Sequence, residues 1–191
     1  MRELHILGIS GSLRRASFNT GLLRAAAEEL PPGMTLELAE IFQFPLYNED
    51  LMAKGVPEPV QHFKEQIRAA DGILIATPEY NFSITGVLKN AIDWASRPVT
   101  TQPFNGKPLA MMGAGGRMGT VRSQLHLRQV AQYVNMIPMN RPEITVQNAR
   151  DKFDAEGNLT DAAVRQLIKE LLEAFAVWIV RQEGARAAEI R

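Results

Sequence analysis

The fold is decided first at residues 4–20, which read LHILGISGSLRRASFNT. Residues 4–9 form an apolar run with the length of a buried β-strand, and the glycine and serine residues that follow cannot extend it. Residues 19–30 then have the pattern of an α-helix. A buried strand that passes through a loop of small residues into a helix is typical of the first unit of a parallel α/β sheet.

The rest of the chain continues this alternation of short apolar runs and helical patterns. Further strands are expected at residues 35–41, 72–76 and 109–112 and, broken into pieces, around 137 and 144–146. Helices are expected at about residues 57–70, 85–96 and 120–134, and a long final helix follows Thr160, which we expect to cap it. The sequence therefore predicts one domain over residues 1–191, an α/β fold with a doubly wound, five-stranded parallel sheet and helices on both faces.

The composition excludes several classes of protein. Of the 191 residues, 46% are hydrophobic and 22% are charged, as in ordinary globular domains and unlike disordered chains or membrane bundles. The 21 basic residues balance the 21 acidic ones, so we expect neither a nucleic acid nor a membrane as a partner. No targeting segment is visible, which predicts a cytoplasmic protein.

Cysteine is absent, and the three histidines lie in separate predicted elements. Thiol chemistry, disulfides and a metal site are therefore not expected. Any redox chemistry needs an organic cofactor.

Three loops form the candidate functional site. Ligands of parallel α/β sheets bind beyond the carboxyl ends of the strands, which here are followed by residues 10–20, 77–86 and 113–119. The first loop offers hydroxyl and amide side chains, Arg14 and the N-terminus of a helix, a set that suits a phosphate monoester. A polar turn in which Ser17 or Asn19 caps the helix explains the same residues equally well.

The second loop carries two aromatic residues, Tyr80 and Phe82, on either side of Asn81. Their rings can supply a flat apolar wall, while Asn81 and the backbone amides can bond the edge of a planar heterocycle. The alternative is an ordinary loop whose aromatic side chains are buried in the core. Glu79 is a base in principle, but we favour a solvated or paired carboxylate at this position.

The third loop begins Gly113-Ala114-Gly115-Gly116. Glycine lets a ring approach the backbone closely and leaves N–H groups free to stabilise negative charge. A flexible turn is the equally simple alternative.

Three motifs in register connect these loops with a known family. They are Gly11-Ser12-Leu13-Arg14 with Ser17 and Asn19, then Pro78-Glu79-Tyr80-Asn81, then Gly86-Val87-Leu88-Lys89-Asn90-Ala91-Ile92-Asp93-Trp94. On these residues the chain resembles the NADPH-dependent FMN reductase family of flavodoxin-like proteins. Residues 122–124, 126–129 and 140–143 are most similar to those of the bacterial soluble quinone and chromate reductases, whereas Leu125 stands where a close relative type has tyrosine in its subunit contact.

The resemblance implies a flavodoxin-like sheet with strand order 2-1-3-4-5 and a bound FMN. It implies that the phosphate is surrounded by Ser10, Ser12, Arg14, Ser17, Asn19 and Thr20, with Leu13 in the same cofactor-binding loop. It places the isoalloxazine ring on Pro78, Glu79, Tyr80, Asn81 and Phe82, with the last two amides near N5 and O4. Around the other edge of the ring it places Gly113, Ala114, Gly115 and Gly116.

The resemblance also implies an NAD(P)H oxidoreductase with ping-pong kinetics. NADPH or NADH passes a hydride to flavin N5, so that no catalytic side chain is needed, and a quinone-like acceptor then takes two electrons. Chromate and azo compounds are further acceptors to test. Two alternatives stay open: a flavin reductase that uses FMN as a diffusible substrate, and a flavodoxin-type electron carrier, against which the zero net charge argues.

Subunits of this family complete each other's FMN site. The resemblance therefore implies a homodimer or a homotetramer. We expect its contacts to involve residues 42–56 and the helix at 120–134.

Overall fold

The structure is a computed structural model that describes the backbone of residues 2–189 and the side chains of residues 2–185. Within that range, the sheet consists of β1 (Leu4–Ser10), β2 (Met34–Ala39), β3 (Gly72–Ala76), β4 (Pro108–Ala114), β5 (Ile137–Pro138) and β6 (Ile144–Val146). All pairings are parallel, in the order β2-β1-β3-β4-β5, and β6 also pairs with β4. The predicted flavodoxin-like fold and strand order are confirmed. Of the predicted domain, residue 1 and residues 190–191 lie outside the described part.

The predicted fifth strand consists of two short pieces that pair with different parts of β4. β5 lies beside Pro108 and Leu109 at the start of β4, and β6 lies beside residues 112–114 at its end. Pro138 and Pro142 lack the N–H group that a ladder hydrogen bond needs, which accounts for the break. Because β6 ends beside the end of β4, a fourth loop begins at the carboxyl edge of the sheet.

Six α-helices occur in the described residues. They are α1 (Phe18–Glu28), α2 (Glu49–Met52), α3 (Glu58–Ala69), α4 (Gly86–Ala95), α5 (Val121–Tyr133) and α6 (Ala162–Glu189). The short α2, capped by the Asn48 side chain, was not expected from the sequence. The expected cap of α6 is wrong, because Asp161 Oδ1 accepts the hydrogen bond of Val164 N–H at 2.9 Å, whereas the Thr160 hydroxyl donates to the Lys152 carbonyl.

Apolar side chains cover both faces of the sheet, as predicted. Alternate residues of a strand face opposite sides, so that Ile6 and Leu74 pack with α1 and α6, while Leu7 and Ile73 pack with α3, α4 and α5. All five residues of β3 are buried, since this strand has neighbours on both edges and helices on both faces. No helix in the described range has the length and apolar character that a membrane span needs.

The packing of α6 predicts a large loss of stability for Phe175→Ala. Phe175 is fully buried against the sheet, so its truncation removes apolar contacts and leaves a cavity. We expect the free energy of unfolding to fall by about 3–5 kcal/mol in urea denaturation. Val177→Ala, at a half-exposed position of the same helix, is the control and is expected to change it by less than about 0.5 kcal/mol. Equal losses for the two variants would contradict the assigned core.

Candidate functional site

A cavity of about 440 Å³ lies at the carboxyl edge of the sheet, where the predicted loops meet. The three predicted loops contribute Ser12, Arg14, Ser17, Phe18, Asn19, Pro78, Glu79, Tyr80, Ala114, Gly115 and Gly116. A fourth segment, which was missed in the sequence, contributes Asn148, Ala149, Arg150 and Asp151. The predicted site residues that do not line the cavity are Ser10, Leu13, Thr20, Asn81, Phe82 and Gly113. Their contacts with a cofactor stay predictions.

The loop after β1 presents the positive end of α1 to the cavity. Ser17 caps this helix, because its hydroxyl accepts a hydrogen bond from the N–H group of Thr20 at 3.3 Å. The N–H groups of Phe18 and Asn19, in the same first turn, have no intrahelical acceptor and can donate to an anion. The Arg14 guanidinium donates to the Ala16 carbonyl at 2.7 Å and lies 5.4 Å from the centroid of the Phe18 ring. These contacts hold a positive charge beside the start of the helix.

Three residues of this loop that were predicted to bind the cofactor do not line the cavity. Ser10 Oγ and Thr20 Oγ1 share a hydrogen bond of 2.7 Å, which joins the end of β1 to α1. Leu13 is an exposed apolar side chain at the surface of the loop. Ser10 and Thr20 therefore shape the loop through the hydrogen bond between them.

Buried polar side chains connect the loops. Asn19 Nδ2 donates to the Ala114 carbonyl at 3.0 Å, and Asn19 Oδ1 accepts from the Ala114 N–H group at 2.9 Å. The Thr85 hydroxyl, which caps α4, donates to the Gly11 carbonyl at 2.7 Å. The loops after β1, β3 and β4 are thus one hydrogen-bonded unit.

The loop after β3 contains a tight hairpin with two exposed aromatic rings. Tyr80 and Ser83 exchange both backbone hydrogen bonds at 3.0 Å, which closes the chain around Asn81 and Phe82. These two residues have φ values of 51° and 66°, a conformation that a phenylalanine rarely adopts. Tyr80 is 52% exposed and Phe82 is 62% exposed, so the alternative of aromatic residues buried in the core is wrong.

Glu79, just before this hairpin, is bound to the N-terminus of α5. Its carboxylate accepts hydrogen bonds from the N–H groups of Arg122 and Ser123 at 2.9 and 3.3 Å and forms a salt bridge with the Arg122 guanidinium. Burial raises the pKa of Glu79, but these hydrogen bonds and the charge of Arg122 outweigh burial, so its pKa is lower than usual. The same guanidinium lies 3.7 Å from the centroid of the Phe82 ring. Glu79 is therefore the paired carboxylate that we favoured from the sequence.

The glycines of the loop after β4 serve mainly the packing of the chain itself. A Cβ atom on Gly113 would collide with the Thr120 hydroxyl, and one on Gly115 would collide with the Gly119 carbonyl. At Gly116 a Cβ atom would meet open space, so this is the position where a ligand can approach the backbone. Gly116 and Gly119 form an antiparallel bridge, so the loop is a small hairpin.

The missed segment follows β6 and closes the cavity from the edge of the sheet. The N–H groups of Asn148 and Ala149 donate to the carbonyls of Gly116 and Gly115 at 3.0 and 2.9 Å. Arg150 lies in the 3₁₀ turn that these contacts hold in place. The rule that placed the other loops at the carboxyl edge also applies to the fifth strand, and it is the signal that would have found this segment.

The groups along the cavity fit FMN. One end combines Arg14, the hydroxyls of Ser12 and Ser17 and the start of α1, which is a donor set for a phosphate monoester. Another part has the exposed Tyr80 ring, which can lie beside a planar heterocycle. The volume lies in the range of small-molecule sites. No group of three histidine, cysteine or acidic residues that could hold a metal ion occurs in the described part of the chain.

Comparison with known proteins agrees with this geometry. A family model for the NADPH-dependent FMN reductases matches residues 4–151, from β1 to the segment that follows β6. The chain belongs to this family. The matched range includes all four loops of the cavity.

Similar proteins extend the match to nearly the whole chain. An NAD(P)H-dependent FMN reductase of Pseudomonas aeruginosa is 53% identical over 183 residues, which cover 95% of this chain and 98% of the relative. An NADPH:quinone oxidoreductase of Arabidopsis thaliana is 43% identical over 187 residues, covering 95% and 94%. The solved structure of FerB, a flavoenzyme NAD(P)H:(acceptor) oxidoreductase from Paracoccus denitrificans, has a TM-score of 0.83 at 32% identity and covers 94% and 98%. This FMN reductase family member is accordingly an FMN-dependent NAD(P)H oxidoreductase.

The contacts of Glu79 predict a pH-dependent loss of stability for Glu79→Gln. The variant keeps the shape of the side chain but removes the charge that Arg122 and the start of α5 bind. We expect the free energy of unfolding at pH 7 to fall by about 1–3 kcal/mol. The lowered pKa of Glu79 means that its contribution is fully present above its usual pKa near 4.5 and is lost as the pH falls through the folded value.

The measurement is urea denaturation of the wild type and the variant from pH 7 to pH 3. The difference between the two proteins is expected to shrink below about pH 4.5. Glu28→Gln, at an exposed salt bridge with Arg165, is the control and is expected to cost no more than about 1 kcal/mol. A difference that grows on acidification would contradict the assigned pairing.

Proposed function

We propose that this enzyme binds FMN tightly in the four-loop cavity, formed by residues 10–20, 77–86, 113–119 and 148–151, and uses NADPH or NADH to reduce quinones by two electrons. The observation that carries the proposal is the combination, in one cavity, of a phosphate-binding end at Arg14 and α1 with an exposed aromatic hairpin at Tyr80. When bound, FMN supplies a carrier for the two electrons that leave the nicotinamide and reach the acceptor.

The residues of the chain bind and orient the cofactor. Arg14, the Ser12 and Ser17 hydroxyls and the N–H groups of the first turn of α1 hold the phosphate through charge-assisted hydrogen bonds. The hairpin uses the N–H groups of Tyr80 and Ser83 for its own closure, which leaves those of Asn81 and Phe82 for the edge of the ring. N–H donors that a rigid turn fixes before the ligand binds stabilise negative charge on the ligand without a rearrangement of the protein.

Glu79, the buried carboxylate of the cavity, takes no part in proton transfer under this proposal. Its hydrogen bonds with Arg122 and Ser123 hold it ionised and occupied. With FMN bound, the hairpin would orient the ring of the cofactor, and hydride chemistry on that ring would need no acidic side chain. This agrees with the expectation that the reaction has no catalytic side chain.

Quinones are the acceptor class that the similar proteins favour. The relative from Arabidopsis thaliana is named as an NADPH:quinone oxidoreductase, and the chain shares 43% of its residues over nearly its whole length. A quinone is flat and largely apolar, and the exposed rings of Tyr80 and Phe82 offer surface of the same character beside the cavity. Reduction of chromate and azo compounds and location in the cytoplasm stay predictions.

The test of this function is whether FMN stays bound while the reaction runs. We expect FMN-loaded protein to stay yellow through gel filtration, to bleach anaerobically with NADPH or NADH, and to recover its colour when a quinone is added. The physical reason is that a phosphate dianion, a helix N-terminus and Arg14 together hold the cofactor against dissociation.

The outcomes separate the alternatives. Loss of FMN on the column with continued reduction of free FMN would indicate the diffusible-substrate flavin reductase. Bound flavin that is reduced only through another protein would indicate an electron carrier. Protein that binds no FMN and oxidises no reduced nicotinamide would overturn the proposal.

We further propose that the enzyme is a homodimer or a homotetramer. Four large apolar side chains in the loop after β2 and on α5 are exposed, namely Phe42, Leu46, Leu125 and Tyr133. Leu46 alone is 82% exposed, which is unfavourable for a large aliphatic side chain unless another surface covers it. A neighbouring subunit that covers residues 42–56 would also be placed to complete the FMN site.

This predicts a solution mass that is a multiple of 21.2 kDa. Leu46→Glu is expected to weaken association and FMN affinity together, because a charge at an apolar interface must be desolvated. Light scattering after gel filtration and FMN titration provide the measurements. Val180→Glu, at an exposed position of α6, is the control and is expected to change neither. A monomeric wild type at micromolar concentration would contradict the proposed assembly.

A further inference from the structure

Arg150 is a second arginine of the four-loop cavity, and it lies outside the motifs that identify the family. It stands in the 3₁₀ turn Ala149–Asp151, which lines the same cavity as Arg14. The two arginines belong to loops that follow different strands. Two different loops therefore each contribute an arginine to the lining of the cavity.

The segment that carries Arg150 is fixed on the side of the cavity where α1 begins. The N–H group of Asn148 donates to Gly116 at 3.0 Å, which attaches the segment to the glycine loop. Further along the chain, the Phe153 ring lies 4.8 Å from the Phe18 ring, at the first residue of α1. The Gly157 carbonyl accepts a hydrogen bond from Arg24 at 2.9 Å. These contacts place the turn of Arg150 near the phosphate-binding end.

Arg150 has no ionic partner among the side chains of residues 2–185. Its side chain makes no hydrogen bond or salt bridge to any residue of the described part, whereas Arg122 and Arg165 are paired with carboxylates. Two carboxylates line the cavity, and the one of Glu79 is already paired with Arg122. The other, that of Asp151, borders both this cavity and a neighbouring one.

Positive charge therefore exceeds negative charge in the cavity, although the whole chain has a formal net charge of zero. Arg14 and Arg150 face one uncompensated carboxylate. A phosphate monoester carries close to two negative charges at neutral pH and accepts hydrogen bonds on three oxygens. Guanidinium groups match such an acceptor through their fixed planar set of donors.

We propose that Arg150 is a phosphate-binding residue of this enzyme, which together with Arg14 holds a phosphate monoester in the four-loop cavity. This inference rests on the proposed function and adds a residue to its site. Two ligands of the enzyme carry this group, since FMN has a 5′-phosphate and NADPH has a 2′-phosphate. The contacts between the Arg150 segment and the start of α1 favour the phosphate of FMN.

The test compares ligands that differ only in a phosphate. Apoprotein of the wild type and of Arg150→Gln is titrated with FMN and with riboflavin, and binding is followed by quenching of flavin fluorescence. We expect the dissociation constant for FMN to rise about 10- to 100-fold in the variant, while that for riboflavin is unchanged. Arg150→Lys, which keeps the charge but not the planar donors, is expected to recover part of the affinity.

The second arm uses the FMN-loaded enzyme and the two nicotinamides. The rate of flavin reduction is measured in a stopped-flow instrument against the concentration of NADPH and of NADH. Arg150→Gln could slow flavin reduction by NADPH but not by NADH and leave the ratio of the FMN and riboflavin dissociation constants unchanged. That result would assign Arg150 to the 2′-phosphate of NADPH. Arg68→Gln, at an exposed arginine in the last turn of α3 and away from the four-loop cavity, is the control, and it is expected to change neither the dissociation constants nor the reduction rates.

The inference is overturned if Arg150→Gln changes neither the flavin dissociation constants nor the reduction rates. It is also overturned if the variant weakens the binding of FMN and of riboflavin equally. Equal weakening would show that Arg150 supports the fold of the segment without contacting a phosphate. Failure of the proposed function would be seen separately, because the wild type itself would then bind neither flavin.

Discussion

The site depends on two hydrogen bonds between the buried amide of Asn19 and the backbone of Ala114. A parallel sheet brings the ends of its strands to one edge, but it does not hold the loops beyond that edge in register with each other. Asn19 joins the start of α1 to the end of β4, and Thr85 joins the start of α4 to the loop after β1. Because these bonds are buried, water does not compete for them, and they hold the loops after β1, β3 and β4 together.

The charged side chains of the same site fall into two groups, one paired and one unpaired. Glu79 and Arg122 neutralise each other and serve to attach the aromatic hairpin to α5. Arg14 and Arg150 line the cavity and form no salt bridge with a carboxylate in the described part of the chain. The zero net charge of the chain thus conceals a local excess of positive charge, which is where an anionic cofactor needs it.

The hairpin at residues 80–83 shows how a strained turn is maintained. Asn81 tolerates a positive φ, but Phe82 does so at a steric cost that is usual for functional sites. The surrounding contacts offset this cost: two backbone hydrogen bonds close the turn, the Arg122 guanidinium lies over the Phe82 ring, and His126 is hydrogen-bonded to Ser83. The helix that begins beside the glycine loop therefore also supports the aromatic loop.

The sequence by itself determined the alternation of strands and helices, the parallel sheet, the polar loop around Arg14 that leads into a helix, and the presence of an aromatic turn. These features follow from patterns within a few neighbouring residues, which hydrophobic periodicity and turn chemistry report directly. Only the tertiary structure decided that Glu79 pairs with Arg122, 43 residues away, and that Asn19 binds Ala114, 95 residues away. It also brought Arg150 into the cavity. Such contacts have no local signature, because they arise only when the sheet brings distant loops to one edge.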